Sequence, residues 1–182
     1  MNAKMIICGL GGQGILYAMK VLEYAAMQKG ENVIGCETHG MAQRGGSVIS
    51  HFQMGGFRSP LVREGTADFV IAFEKTEAMR NIGFLRKGGT LFANASGDFP
   101  LKPVKEFAKE RGIEIHSFDA SERCLQQKLK TSLNVMLLGF CAGCEDFPFR
   151  KEEIGEAVTK TSPPPVLDSN LKAFEEGLKC AR

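Results

Sequence analysis

Short apolar runs alternate with longer stretches of helical period along the whole chain. Strand-like runs fall at about 4–9, 32–37, 47–54, 67–73, 89–94 and 113–118. Helical periodicity predicts helices over 15–29, 75–86, 103–111, 120–128, 132–143, 151–160 and 169–180. Strands that alternate with helices belong in a largely parallel sheet covered on both faces. The expected fold is therefore α/β: a doubly wound, Rossmann-like, mostly parallel sheet in one domain spanning 1–182, with the helices after about 130 packing on the same core. The run at 47–54 is the exception. The loop before it is too short for a crossover helix, so the run is expected to pair antiparallel or to lie at an edge. Two further signals concern ends of helices. Gly88-Gly89 reads as a C-cap closing the helix before it. Ser162-Pro163-Pro164-Pro165 reads as a stiff linker, after which Asp168 or Ser169 would cap the last helix.

Two glycine-rich turns interrupt this pattern, each directly after a strand. The first is Gly9-Leu10-Gly11-Gly12-Gln13-Gly14, between the buried run Lys4–Cys8 and the helix that starts at Ile15. Its glycines at 9, 11 and 14 have the GxGxxG spacing, and Glu37 ends the next strand. That is formally a dinucleotide site, with backbone N–H groups for a pyrophosphate and an acid for a ribose hydroxyl. The alternative is a tight turn whose glycines let the first helix sit close to the sheet. The second turn is His39-Gly40-Met41-Ala42-Gln43-Arg44-Gly45-Gly46-Ser47. It sets an imidazole, an amide, a guanidinium and a hydroxyl among glycines whose backbone can be approached closely. Arg44 supplies a planar, permanently charged fork for a phosphate or carboxylate. In an open parallel sheet, ligands meet the carboxyl ends of the strands. Both turns leave from that edge, so they are expected to form one surface.

Composition narrows the function classes. The 182 residues are 43% hydrophobic and 24% charged with a net charge of +2, and the basic residues are scattered, so no nucleic-acid footprint is expected. No apolar run approaches the roughly 18 to 20 residues that cross a bilayer, and the chain enters a strand at once without a signal-peptide pattern; a cytoplasmic protein with no membrane contact is expected. Six cysteines suit a reducing compartment. Cys141 and Cys144 form a CxxC, but it falls in an apolar helix and has no second pair nearby, so packing is favoured over metal or redox work and no metal ligands are assigned.

Catalytic machinery is thin. His51 and His116 lie in strand-like alternation and read as sheet residues. His39 shares its loop with Gln43 and Arg44, yet no serine or cysteine nucleophile has an evident partner, so binding is favoured over proton transfer and no catalytic residue is assigned. Glu74 and Glu77 follow a strand at the same sheet edge. Either they complement a helix dipole, or Glu74 pairs with Arg44 across the loops. Ser47 either begins a strand or donates to a phosphate held by Arg44.

Taken together, the strand-GlyLeuGlyGlyGlnGlyIle opening, the HisGly…GlnArgGlyGlySer loop, the SerProLeu turn at 59–61 with Asp68 and Glu74, and the closing Asn170…Ala173-Phe174…Gly177 helix resemble the gamma-type subunits of 2-oxoacid:ferredoxin oxidoreductases. The resemblance runs from about 4 to 180. Its HisGly and GlnArgGlyGly wording is most similar to the small (beta) subunits of the indolepyruvate branch. It implies a multisubunit enzyme that oxidatively decarboxylates a 2-oxoacid, here of the aryl or indolepyruvate type, to an acyl-CoA while reducing ferredoxin. Thiamine diphosphate, magnesium and iron–sulfur clusters are then expected in a larger partner subunit, with coenzyme A as co-substrate and no cofactor on this chain, which lacks both a GlyAspGly motif and cluster-type cysteine runs. Alone, the chain would be inactive and could self-associate as a homodimer through its vacated interface. Gly11, Gly12, Gln13, Gly14, His39, Gln43, Arg44, Gly45, Gly46, Ser47 and Glu74 are the residues expected at a ligand or subunit interface. Two other readings stay open: a free-standing dinucleotide-binding oxidoreductase, and a coenzyme A- or anion-binding adaptor without catalysis.

Overall fold

The structure, a computed structural model, describes residues 1–39, 45–129 and 132–181. Among them, strands and helices run in the order β1 (Ala3–Leu10), α1 (Ile15–Gln28), β2 (Val33–His39), β3 (Ser47–Met54), β4 (Ala67–Ala72), α2 (Lys75–Asn81), β5 (Leu85–Asn94), α3 (Lys102–Arg111), β6 (Glu114–Phe118), α4 (Ala120–Gln126), α5 (Leu133–Ala142), α6 (Lys151–Thr161) and α7 (Leu167–Cys180). All six expected strands form, in one sheet of order β2-β3-β1-β4-β5-β6. β1, β4, β5 and β6 are mutually parallel, as expected. β3 runs antiparallel to both β1 and β2, in continuous register from Ala3 opposite Met54 to Leu10 opposite Ser47. It lies inside the sheet rather than at its edge, so the short loop before it folds the chain back between its two predecessors.

Helices cover both faces unequally. α1 and α4 to α7 cover one face, over a core that includes Met5, Ile7, Leu22, Phe52, Phe73 and Phe92. α2 and α3 cover the other, over Ile6, Cys8, Val70, Leu85 and Leu91. α5 is buried almost all round, which its nearly continuous apolar sequence requires. It lies close against α7, where a Cβ on Gly139 would stand 2.2 Å from the carbonyl oxygen of Phe174 and one on Gly177 would stand 2.0 Å from that of Met136. Cys141 and Cys144, at the end of α5, are both buried, and the Cys144 thiol lies 3.5 Å from the Phe140 carbonyl oxygen. A polar network ties α1 to the C-terminal helices. The Tyr17 hydroxyl lies 2.7 Å from that of Ser162, which accepts from the Asn170 amide at 3.0 Å, and Asn170 accepts from Ser132 at 2.9 Å.

Two expectations about helix ends are corrected. The helix predicted over 75–86 stops at Asn81 and tightens into a 3₁₀ turn over Ile82–Phe84, and β5 has begun by Leu85. Gly88 and Gly89 are therefore inside a strand, not a helix cap. Gly88 takes a φ of 69° where the β4–β5 register shifts, and a Cβ on Gly89 would lie 3.0 Å from the Asp68 carbonyl oxygen. The last helix starts earlier than expected, because Pro164–Val166 forms a 3₁₀ turn that runs straight into it. Asp168 then falls within its first turn, and the Ser169 hydroxyl donates back to the Val166 carbonyl at 2.8 Å instead of capping.

Candidate functional site

The two glycine-rich turns meet at the carboxyl ends of β1 and β2. The β1–β3 ladder continues past Leu10 and Ser47 into both turns: the Gly11 N–H donates to the Gly46 carbonyl at 2.8 Å, and the Gly45 N–H donates to the Gly11 carbonyl at 3.2 Å. Gly12 and Gly45 carry φ angles of 100° and 76°, and no atom of the described residues lies within 4 Å of where a Cβ would stand on either. Both are exposed. The result is a patch of bare backbone, free of side chains at both positions, against which another surface can lie closely. His39 closes β2 with its backbone opposite Val48. Gln43 and Arg44 lie outside the described residues, so the structure joins Gly11, Gly12, Gly45, Gly46 and Ser47 without reporting on the guanidinium.

Ser47 and Glu77 anchor this patch from below. The Ser47 hydroxyl donates to Glu77 Oε2 at 2.7 Å, and Arg80 donates to Glu77 Oε1 at 2.7 Å. Asn81 donates to the Glu77 carbonyl at 2.9 Å and lies 3.4 Å from Oε2. The carboxylate is fully buried yet has a partner on each oxygen, which is what lets a charge stay inside. Beneath it, burial pushes the Cys8 thiol well above its ordinary range, and the Glu77 charge adds to the effect, so this cysteine is an inert packing residue. Glu74 is the N-cap of α2. Its Oε2 accepts from the backbone N–H of Thr76 at 2.6 Å and of Glu77 at 3.0 Å. The sequence had assigned Glu77 only to the helix dipole, whereas it is the buried partner of Ser47. An acid three residues after an N-cap acid, followed at i+4 by asparagine, was the available signal.

The first turn uses its glycines internally. A Cβ on Gly9 would lie 2.7 Å from Gln13 Oε1 and 2.9 Å from Phe73 Cβ, and one on Gly14 would lie 2.3 Å from Asn134 Nδ2. Gln13 bends back so that its Oε1 accepts from the Leu10 N–H at 2.7 Å while its Nε2 donates to the Phe73 carbonyl at 3.3 Å. The amide thus ties the end of β1 to the segment that follows β4. Asn134 of α5 donates to the Gly14 carbonyl at 3.1 Å. The turn is a joint between β1, β4, α1 and α5, as its tight-turn reading anticipates. A polar cleft of about 260 Å³ opens beside it among Gln13, Glu74, Asn94 and Ser121. Asn94 is already engaged within the fold: its Nδ2 donates to the Phe73 carbonyl at 3.0 Å, and its Oδ1 accepts from the Ser121 N–H at 3.2 Å.

The other two histidines sit in the sheet, as expected. His51 is buried in β3, its Nδ1 accepting from the Val62 N–H at 3.2 Å and its ring edge-on to Phe84. Burial lowers its pKa. His116 stacks on Phe92 with ring centroids 5.5 Å apart.

Comparison with known proteins agrees with this architecture over the whole chain. The model of the family described as pyruvate ferredoxin/flavodoxin oxidoreductase matches residues 4–180. The chain is 36% identical to an indolepyruvate oxidoreductase subunit IorB of Thermococcus kodakarensis, with 98% of this chain and 96% of that protein covered. Among solved structures it resembles the gamma subunit of a keto/oxoacid ferredoxin oxidoreductase from Geobacter sulfurreducens, with a TM-score of 0.76, 21% identity and 98% of each chain covered. It also resembles part of the 2-oxoglutarate:ferredoxin oxidoreductase of Magnetococcus marinus, whose structure has 2-oxoglutarate, coenzyme A and succinyl-CoA bound. There the TM-score is 0.78 at 20% identity, covering 99% of this chain and 31% of that one.

Proposed function

Because the chain belongs to the pyruvate ferredoxin/flavodoxin oxidoreductase family, we propose that this small subunit of a 2-oxoacid:ferredoxin oxidoreductase complex serves an enzyme of the aryl-2-oxoacid, indolepyruvate kind. The complex would convert the 2-oxoacid and coenzyme A to acyl-CoA and carbon dioxide, with the electrons leaving to ferredoxin. The identity to an indolepyruvate oxidoreductase subunit over nearly the full length of both chains supports that substrate class. Thiamine diphosphate, magnesium and iron–sulfur clusters belong to the larger partner in this reading. No helix among the described residues is long and apolar enough to cross a membrane.

The observation that carries the site assignment is the patch of bare backbone at Gly12 and Gly45, joined across the two turns and tied down by Ser47 and Glu77. Such a patch supplies close approach and backbone hydrogen bonding, not bond-making chemistry. Its part in the complex is to complete the wall of the catalytic partner on the coenzyme A side, with Arg44 meeting a phosphate of the co-substrate or an acidic partner residue. In Arg44→Ala, the isolated chain should keep its circular dichroism and melting midpoint, because a loop guanidinium adds little to the core. The complex built with it should show reduced acyl-CoA formation from an aryl 2-oxoacid. An unfolded variant, or a complex with unchanged kcat and unchanged KM for coenzyme A, would remove Arg44 from the site.

A further inference from the structure

At the other end of β1 and β3, away from the glycine turns, a twelve-residue connection over 55–66 crosses the face of the sheet that α2 and α3 leave open. Connections of this length without secondary structure usually carry function. This one is held in place by buried polar side chains of β3. His51 accepts from the Val62 N–H, and Gln53, itself buried, donates to the Ser59 carbonyl. Val62 is buried against the sheet, whereas its neighbour Leu61 stands 58% exposed. The anchoring therefore displays a surface rather than hiding one.

The displayed surface is basic. Lys4, Arg58 and Arg63 line one depression of about 400 Å³ with Phe57 and Leu61, and no carboxylate lines it. Among the described residues, none of these three cations is in an ion pair, and Lys4 Nζ lies over the Phe57 ring at 5.0 Å from its centroid. Two carboxylates lie nearby in the chain: Glu64, exposed on the connection itself but not lining the depression, and Asp68, which accepts from the Lys4 backbone N–H at 2.9 Å and from Arg86 Nε at 2.6 Å. Three positive charges around an exposed leucine, with Glu64 the one carboxylate on the connection, leave the surface net positive and suit a complementary protein surface, since arginine and apolar groups are what the centres of such interfaces use. A site for a small phosphate would instead need donors converging on one point, and here neither guanidinium is fixed by a carboxylate.

We propose that the 55–66 connection is a second docking surface of this subunit, and that it receives an acidic segment of the larger subunit carrying an apolar residue against Leu61. The proposal rests on the complex-subunit reading given above. Its test uses the chain co-expressed and purified with that larger subunit. The double variant Arg58→Glu/Arg63→Glu should weaken association by about tenfold or more at low salt and flatten its salt dependence. Arg58→Lys/Arg63→Lys should restore most of the affinity, and circular dichroism of each variant should match the parent. A photo-reactive benzoylphenylalanine at position 61 should cross-link to a partner peptide rich in aspartate or glutamate. If the parent chain itself fails to bind the larger subunit, the subunit reading falls. If the parent binds and the charge-reversed variant binds equally well with the same salt slope, the docking surface is overturned while the subunit reading stands. A cross-linked peptide without acidic residues would overturn it too. So would saturable binding of inorganic pyrophosphate to the parent alone with assembly unchanged, which would make the depression a small-anion site.

Discussion

At Gly177 the last helix lacks a side chain because the carbonyl oxygen of Met136 occupies the space where a Cβ would be, 2.0 Å away, with the Phe140 nitrogen at 2.8 Å. Both are backbone atoms of α5, so no rotamer change can relieve the contact. Gly139 stands in the same relation to the Phe174 carbonyl from the opposite side. Overpacking a core by a methyl group usually costs about 1–3 kcal/mol, and a clash between two helix backbones belongs at or above the top of that range. Gly177→Ala and Gly139→Ala should therefore each lower the urea midpoint of unfolding clearly, whereas Gly83→Ala, at a position with no atom near its Cβ, should not. Equal midpoints for the three variants would show that α5 and α7 can separate freely. Gly177 belongs to the closing-helix motif of the resemblance, but the packing role of these two glycines was not legible, because a glycine in a helical run reads only as a loss of helix propensity. The reciprocal glycine that gives it a purpose lies on another helix, far along the chain. Glu77 does sit in the first turn of α2, as read, but its second role was hidden for a similar reason: its partner Ser47 is thirty residues away and reaches it only through the strand order.

Among the elements, β3 departs most from a simple α/β pattern, and it was half legible. Loop length excludes a crossover and so demands an antiparallel strand, but nothing local says that it slots between β1 and β2. Buried polar residues on both faces of the strand, Ser50 on one and His51 with Gln53 on the other, explain why the pattern stopped there. Ser50, His51 and Gln53 are buried on a strand that sequence alone would place half in water, and two of them hold the 55–66 connection in place of a helix. This arrangement has a pH signature. Burial lowers the His51 pKa below its usual 6.5, and its Nδ1 serves as an acceptor, so the folded state favours the neutral ring. The unfolded chain then binds the proton more readily than the native one. The associated stability is present above about pH 6.5 and is lost as pH falls through the lowered native value. Urea midpoints measured between pH 7.5 and 5.5 should decline, and His51→Gln, which keeps an acceptor but cannot titrate in that range, should flatten the decline. A variant with the same slope as the parent would assign the pH dependence to other groups. The helix ends at 81 and 167 escaped the sequence for a different reason. Gly88-Gly89 and the proline run are equally at home in a cap or in a strand irregularity and a 3₁₀ turn, and only long-range packing chooses between them.

For the molecule as a whole, the distribution of helices decides what the first glycine turn can do. Five helices crowd one face of the sheet, and α5, the most buried of them, pushes Asn134 against Gly14 where α1 begins. From the sheet side, Gln13 spans the Leu10 N–H and the Phe73 carbonyl. The GxGxxG spacing is thus the meeting point of β1, β4, α1 and α5, and its glycines are needed to bring these elements together. In a dinucleotide-binding turn the same glycines would leave room for a pyrophosphate above the helix N-terminus. Here Gln13 and Asn134 crowd Gly9 and Gly14, and the exposed backbone lies one step further out, at Gly12 and Gly45, on the surface shared with the second turn. The strand–turn–helix opening has the glycine spacing of a nucleotide-binding unit, while the exposed backbone at Gly12 and Gly45 supports the proposed reading of a surface covered in the complex. Titrating the isolated chain with NADH or NADPH should accordingly give no saturable fluorescence enhancement, and Gln13→Ala should lower the melting temperature without creating any. Enhancement in the parent at micromolar nucleotide would mean that Gln13 yields to a ligand, and would return the free-standing dinucleotide enzyme to consideration.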